Sequence, residues 1–223
     1  MSSIAIIAAM PGELKPLVRG WQPRGRNIWG GRIADCEAVA IVGGMGAAAA
    51  ARAMERIFAE ANPDVLVSCG WAGALTCAVK PGAACVISEI VDAKSGERFP
   101  TRSADGYRLV TLDRVALVDE KRALAAKHQS VLVDMEAATV ARMAAARGLD
   151  FYCFKGISDG YTDRLPDFSR FISGEGELRT AALLAYAATR PGYWASLWRL
   201  GKSSSAAAVA VADLMKKRLA KSV

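Results

Sequence analysis

Apolar residues are arranged along this chain in two ways: as short unbroken runs, and as longer stretches where they recur every three or four positions. Ile4 to Ala9, Ala38 to Val42, Val65 to Cys69, Ala84 to Val91 and Phe151 to Ile157 are wholly or nearly of the first kind. Runs of that length suit strands covered on both faces. Leu109 to Leu112 predicts a further short strand, and Val131 to Val133 is another apolar run. Met135, Val140, Met143 and Ala144 follow the second pattern and predict a helix stopped by Gly148. The alanine-rich stretch from Gly46 to about Ala61 and the segment Glu120 to Lys127 predict two more helices. Strands interleaved with helices in this way predict an α/β architecture. Between the elements, residues 19–32 predict a loop or edge hairpin and residues 92–108 a surface loop or hairpin. Tyr161 to Glu177, polar and irregular, has the composition of a flap.

At 223 residues the chain fits one large domain. No run approaches the roughly 20 apolar residues of a membrane-spanning helix. The first nine residues lack a basic leader and a cleavage pattern, so no secretory signal is expected. The five cysteines, at 36, 69, 77, 85 and 153, form no CxxC pair and predict reduced thiols in a cytoplasmic protein. With His128 the lone histidine, no metal site is expected. Charge divides the chain unevenly. Residues 1–189 carry 22 Lys plus Arg against 21 Asp plus Glu, whereas residues 190–223 carry seven basic residues against Asp213 alone. The first segment reads as the body of the domain and the second as a basic helical extension of it. Such a body is no nucleic-acid surface. In the extension, Tyr193, Trp194, Leu197, Trp198 and Leu200 are flanked by Arg190, Arg199 and Lys202, and Ala206 to Lys221 predicts a helix. Tryptophans beside cations suit a peripheral membrane-surface or lipid contact, or a cover over a bulky apolar substrate. A C-terminal helix packed on the body or on a partner subunit fits the same residues.

Three carboxylates stand at element ends. Asp159 closes the strand Phe151 to Ile157, Glu136 opens the preceding helix, and Glu13 follows the turn Met10-Pro11-Gly12 after the first strand. Polar residues at the carboxyl ends of strands line the ligand crevice of an open α/β sheet. The plainer alternative makes Asp159 a turn residue and Glu136 a first-turn helix charge. Gly44, Met45 and Gly46 form a glycine-rich turn before a helix, where backbone N–H groups can meet an anion such as phosphate. Gly44, Gly46 and Ala49 also fit the dinucleotide pattern G-x-G-x-x-A. A dinucleotide site wants an acid at the end of the next strand, however, and Asp64 precedes that strand, which counts against an NAD-binding oxidoreductase.

The segments IAIIAAMPGE, GGMGAAAAARA, CGWAGAL, VDMEAATVA and KGISD, in that order, resemble the purine nucleoside phosphorylase and methylthioadenosine nucleosidase superfamily. The likeness runs to about residue 160. The shortened middle and the Arg-, Trp- and Ala-rich C-terminus further resemble hopanoid-associated phosphorylases, a group thought to release adenine from adenosylhopane. The resemblance implies a single-domain, three-layer α/β/α fold around a mixed, largely parallel sheet. It implies cleavage of the N-ribosyl bond of an adenosyl nucleoside by phosphorolysis, with hydrolysis as the alternative. The partners it implies are a small-molecule nucleoside, inorganic phosphate as co-substrate with no other cofactor, and further copies of the chain in a homo-oligomer. A non-catalytic nucleoside-binding protein is the remaining alternative.

Residue by residue, Asp159 matches the acid that protonates or hydrogen-bonds purine N7, a task for a partly buried carboxyl able to hold a proton. Glu136 matches the acceptor of the ribose hydroxyls, which the helix start would keep ionised. Met135 would pack beside the sugar, Ser158 would support the purine site, and Glu13 would position an attacking water. Gly70 and Trp71 belong to the substrate-binding segment, and Gly44 to Gly46 to a phosphate site. Two departures concern phosphate. Trp71 stands where many relatives have serine, and Ser68 where some phosphorylases have arginine. Arg24, Arg26 and Arg52 are the candidates to replace that clamp.

Overall fold

The computed structural model describes residues 3–222. The first half contains β1 (Ser3–Ala8), α1 (Pro11–Leu14), β2 (Gln22–Gly25), β3 (Ile28–Ile33), β4 (Cys36–Val42), α2 (Ala47–Glu60), β5 (Val65–Ala74) and β6 (Ala84–Asp92). The second contains β7 (Arg98–Pro100), β8 (Tyr107–Thr111), α3 (Val118–His128), β9 (Leu132–Asp134), α4 (Ala137–Ala146), β10 (Asp150–Asp159), α5 (Thr180–Ala188) and α6 (Trp194–Ser222).

The apolar runs are unbroken because successive side chains enter two different cores. Ile4, Ile6 and Ala8 of β1 face one, and Ala5 and Ile7 the other; Tyr152 and Phe154 of β10 part in the same way from Phe151, Cys153 and Ile157. Helices α2 and α4 close one core with Met54, Ile57, Val140 and Ala144, while α6 closes the other with Val211, Met215 and Leu219. The result is the three-layer α/β/α fold with a mixed sheet. Its centre is parallel, in the order β4, β1, β5, β10, and β3 and β2 extend it as an antiparallel hairpin at the edge.

The other side of the sheet curls. Strand β5 runs beside β1 only as far as Ser68 and pairs with β9 from Gly73. From β9 the sheet continues through β8 and β6 back to β10, which also pairs with β5, so these five strands close into a ring. Between Ser68 and Gly73, one edge of β5 has left β1 and not yet met β9. That gap positions the site.

Helix α4 ends as Gly148 predicts. Its φ of +65° lets the Gly148 and Leu149 N–H groups return to the carbonyls of Ala145 and Ala144. Two elements differ from expectation. Helix α5 has no counterpart in the apolar pattern, and α6 begins at Trp194, a full three turns before Ala206. Gly201 inside α6 costs only about 1 kcal/mol against alanine, too little to stop a helix with good formers on both sides. Among the described residues, no helix is long and apolar enough to cross a membrane.

Candidate active site

Helix α1 fills the gap beside β5 and carries Glu13. Its carboxylate turns back onto three amides: Oε2 accepts from the Ala9 and Met10 N–H groups (2.8 and 2.7 Å), and Oε1 from Trp71 (2.7 Å). Gly70 makes this approach possible. A Cβ at that position, where φ is +144°, would stand 2.7 Å from Oε1. Burial raises the pKa of Glu13, against the pull of the Trp71 and Met10 amides and of Lys155.

Glu136 sits at the N-cap of α4 rather than inside it, and its Oε1 accepts the Gly46 N–H at 2.7 Å. The expectation that the helix start keeps this group ionised is corrected here. Burial and the neighbouring Asp134 charge push it up to about 7, and Lys155 and the Gly46 amide offset only part of that. Behind Glu136 lies an ion pair that sequence reasoning passed over, Lys155 Nζ to Asp134 Oδ2 at 2.8 Å. Asp134 also accepts from the Thr111 hydroxyl (2.6 Å) and the Ala137 N–H (3.0 Å). A signal existed in the sequence: a lone lysine in the buried run Phe151 to Ile157 requires a countercharge.

Asp159 ends β10 with both oxygens engaged. Oδ1 accepts from the Ser158 hydroxyl at 2.6 Å, and Oδ2 is 2.5 Å from the ammonium of Lys121 on α3. The carboxyl expected to be able to hold a proton is half of an ion pair. Nothing in the polar pattern of Glu120 to Lys127 singled out Lys121.

Glu13, Lys121, Asp134, Glu136 and Asp159 line a cleft of about 1460 Å³. Met135 lies between Asp134 and Glu136 on its wall, beside Gly73, Ser158 and Trp71. Trp71 also has a structural role: its ring covers Gly12, and its indole N–H donates to the Ser204 carbonyl of α6 at 2.9 Å. Apolar side chains also line it: Leu165 and Phe168 from the segment after β10, Leu183 and Leu184 from α5, and Leu197 and Leu200 from α6. That segment is also tied to the glycine turn, through the Met45 N–H to the Gly176 carbonyl at 2.8 Å.

The glycine turn does not hold its amides out to an anion. Gly44 donates to Ala9, Met45 to Gly176 and Gly46 to Glu136. Of the candidate arginines, Arg26 pairs with Glu177 at the surface and the Arg24 side chain lies against Gly30, whereas Arg52 donates at 3.0 Å to the Glu175 carbonyl, the oxygen that also lies against Gly44 of the turn. Below the carboxylates is a cavity of about 10 Å³ bounded by Glu13, Ser68, Glu136 and Lys155. It has room for about one water-sized group.

The model of the phosphorylase superfamily matches residues 3–127, a span that ends before Glu136 and Asp159. No curated protein matches the chain. Solved structures similar to it include a mutant methylthioadenosine nucleosidase of Helicobacter pylori with 5′-methylthioadenosine in its active site, at 15% identity, 99% coverage of both chains and a TM-score of 0.72. Futalosine hydrolase of the same organism is also 15% identical, over 99% of this chain and 98% of its own, with a TM-score of 0.73. The 5′-methylthioadenosine/S-adenosylhomocysteine nucleosidase of Neisseria meningitidis, in complex with methylthio-immucillin-A, is 17% identical over 99% of this chain and 100% of its own, with a TM-score of 0.72.

Proposed function

Because the chain belongs to the phosphorylase superfamily, we propose that it cleaves the N-ribosyl bond of a purine nucleoside bearing a bulky apolar 5′-substituent, with water as nucleophile. The cleft carries this reading. Glu13, Glu136 and Asp159 line it together with leucines from two helices. Glycosidic cleavage passes through a cationic sugar, which an ionised Glu136 would offset while accepting the ribose hydroxyls. Glu13, fixed by three amides, would take a proton from the attacking water at C1′. The apolar arm exceeds the needs of a methylthio group and suits an amphiphilic adenosyl compound, for which the hopanoid-associated resemblance supplies adenosylhopane as the named candidate.

Water is favoured over phosphate by two observations. The turn amides are engaged, and two carboxylates border the small cavity. An adenine-release assay tests both parts. Release from an amphiphilic adenosyl substrate should exceed release from 5′-methylthioadenosine and should not depend on phosphate. Strict phosphate dependence would return the reaction to phosphorolysis, and no release from either substrate would remove the activity.

The rim of the apolar arm supports contact with a lipid surface. Leu184, Trp194 and Trp198 are 62%, 57% and 68% exposed, close to Arg190, Arg199 and Lys202, and Lys202 stands 5.5 Å from the Trp198 ring centre. Tryptophans among cations fit an anionic bilayer interface. The protein should sediment with anionic vesicles, and W194E/W198E should lower that partition at least about tenfold, since each buried indole contributes on the order of 1–2 kcal/mol. Equal sedimentation of the two proteins would remove the contact.

A further inference from the structure

One contact of Glu136 leads away from the other carboxylates, through the glycine turn to the segment between β10 and α5. We infer that residues 172–178 of that segment form a positioning loop for Glu136: Gly176 locks the loop onto the turn, and the turn thereby holds its Gly46 amide on the Glu136 carboxylate. The inference rests on the reading above in which Glu136 faces the ribose, and adds a remote residue that aims it.

The loop is closed on itself. Ile172 and Leu178 form an isolated antiparallel bridge, the Ser173 N–H donates to the Glu177 carbonyl at 2.9 Å, and the Gly176 N–H donates to the Ser173 carbonyl at 2.9 Å. Two successive carbonyls of its tip meet the start of α2. That of Gly176 accepts the Met45 N–H at 2.8 Å, and that of Glu175 accepts from Arg52 at 3.0 Å. The fit admits no side chain at the contact. A Cβ at Gly176, where φ is +85°, would stand 2.6 Å from the Met45 carbonyl oxygen and 2.7 Å from the Ala49 Cβ. Gly174, two residues earlier, is exposed, and a Cβ there would meet open space.

The turn needs this support. Gly44 and Gly46 have φ of +98° and +88°, so Met45 sits between two residues of unusual backbone freedom. The Gly44 amide is held by the Ala9 carbonyl and the Met45 amide by the loop. With both held, the next amide, that of Gly46, is directed at Glu136 Oε1. A hydrogen bond given to a carboxylate favours its ionised form. The charges that face Glu136 belong to Asp134 of β9, Lys155 of β10 and Glu13 of α1. None of these three lies in the loop, which acts on Glu136 through the amide.

The test follows the Glu136 carboxyl itself, by carbon NMR of protein carrying isotope-labelled glutamate, its signal assigned by its loss in E136Q. In G176A the titration midpoint should rise by about one pH unit, since loss of a hydrogen bond to a charged group corresponds to about tenfold in protonation. G174A should titrate like the wild type. Adenine release from 5′-methylthioadenosine gives a second readout. For G176A, kcat/KM should fall on the order of fivefold at pH 7 and recover toward the wild-type value at about pH 9, where the carboxyl ionises regardless. An equal fall at both pH values would make the loop merely structural and overturn the inference. A wild-type midpoint in G176A, or an equal rise in G174A, would also overturn it. No release by the wild type would instead remove the nucleosidase reading, and the NMR midpoints would still decide the positioning. Thermal melts check folding. Should G176A not fold, R52M, which frees the Glu175 carbonyl, carries the same comparison against R56M, which removes an equal charge about one turn further along α2.

Discussion

K155M should melt on the order of 10 °C below the wild type, the expected result of leaving one charge without its partner in the interior. The Lys155 side chain is 2% exposed and that of Asp134 0%, with 2.8 Å between them. Burial by itself disfavours the ammonium, yet Asp134 more than compensates and holds the amine above the ordinary lysine range. Breaking such a pair costs about 3–5 kcal/mol, because the remaining charge stays desolvated. Asp134 would keep its bonds from Thr111 and Ala137 but lose its countercharge. D134N/K155M should therefore recover much of the loss, since the asparagine oxygen can still accept and neither member of the pair is charged. A K155M melt within 2 °C or so of the wild type would mean that Asp134 is neutralised some other way.

E136Q should lower kcat/KM about 10²- to 10³-fold and remove the acid limb of its pH profile. With its pKa pushed up to about 7, Glu136 is largely neutral below that pH and charged above it. Only the charged form can offset a cationic sugar, so wild-type kcat/KM should rise with pH through about 7. Stability should move the other way. The folded protein holds a proton that the unfolded chain releases above the ordinary value of 4.5, so this group's contribution is complete below 4.5 and lost as pH rises through about 7. Titration of kcat/KM and of the melting temperature checks both limbs. A flat rate profile between pH 5 and 8, or an E136Q enzyme that keeps the limb, would exclude Glu136 as its source.

The parts of this fold legible in the sequence are those made by local pattern. Ile4 to Ala9 and Phe151 to Ile157 read as strands because both cores draw on them, and Gly148 reads as a helix stop because its φ is positive. The positions of Glu13, Glu136 and Asp159 followed from element ends. What the pattern could not supply was partnership. Asp134 and Lys155 are separated by a whole helix, Lys121 and Asp159 by a helix and two strands, and only closure of the five-strand ring brings them together. For the same reason Glu136 was expected to be ionised: the helix start is visible in sequence, while the burial and the Asp134 charge that outweigh it are tertiary. The engagement of the Gly44 to Gly46 amides is equally invisible in sequence, because their acceptors, Ala9, Gly176 and Glu136, come from distant segments.

Helix α6 has a consequence for how the chain is made. Its later half covers Tyr152 and Phe154 of β10 and Val67 of β5, while its earlier half walls the cleft. On a ribosome adding about 5–20 residues per second, β10 emerges seconds before the helix that shields it. During that interval a broad apolar face of the parallel sheet lies open to solvent. The nascent chain thus passes through a stage when it is open to capture by holding chaperones, and the event that ends that stage also walls the substrate arm.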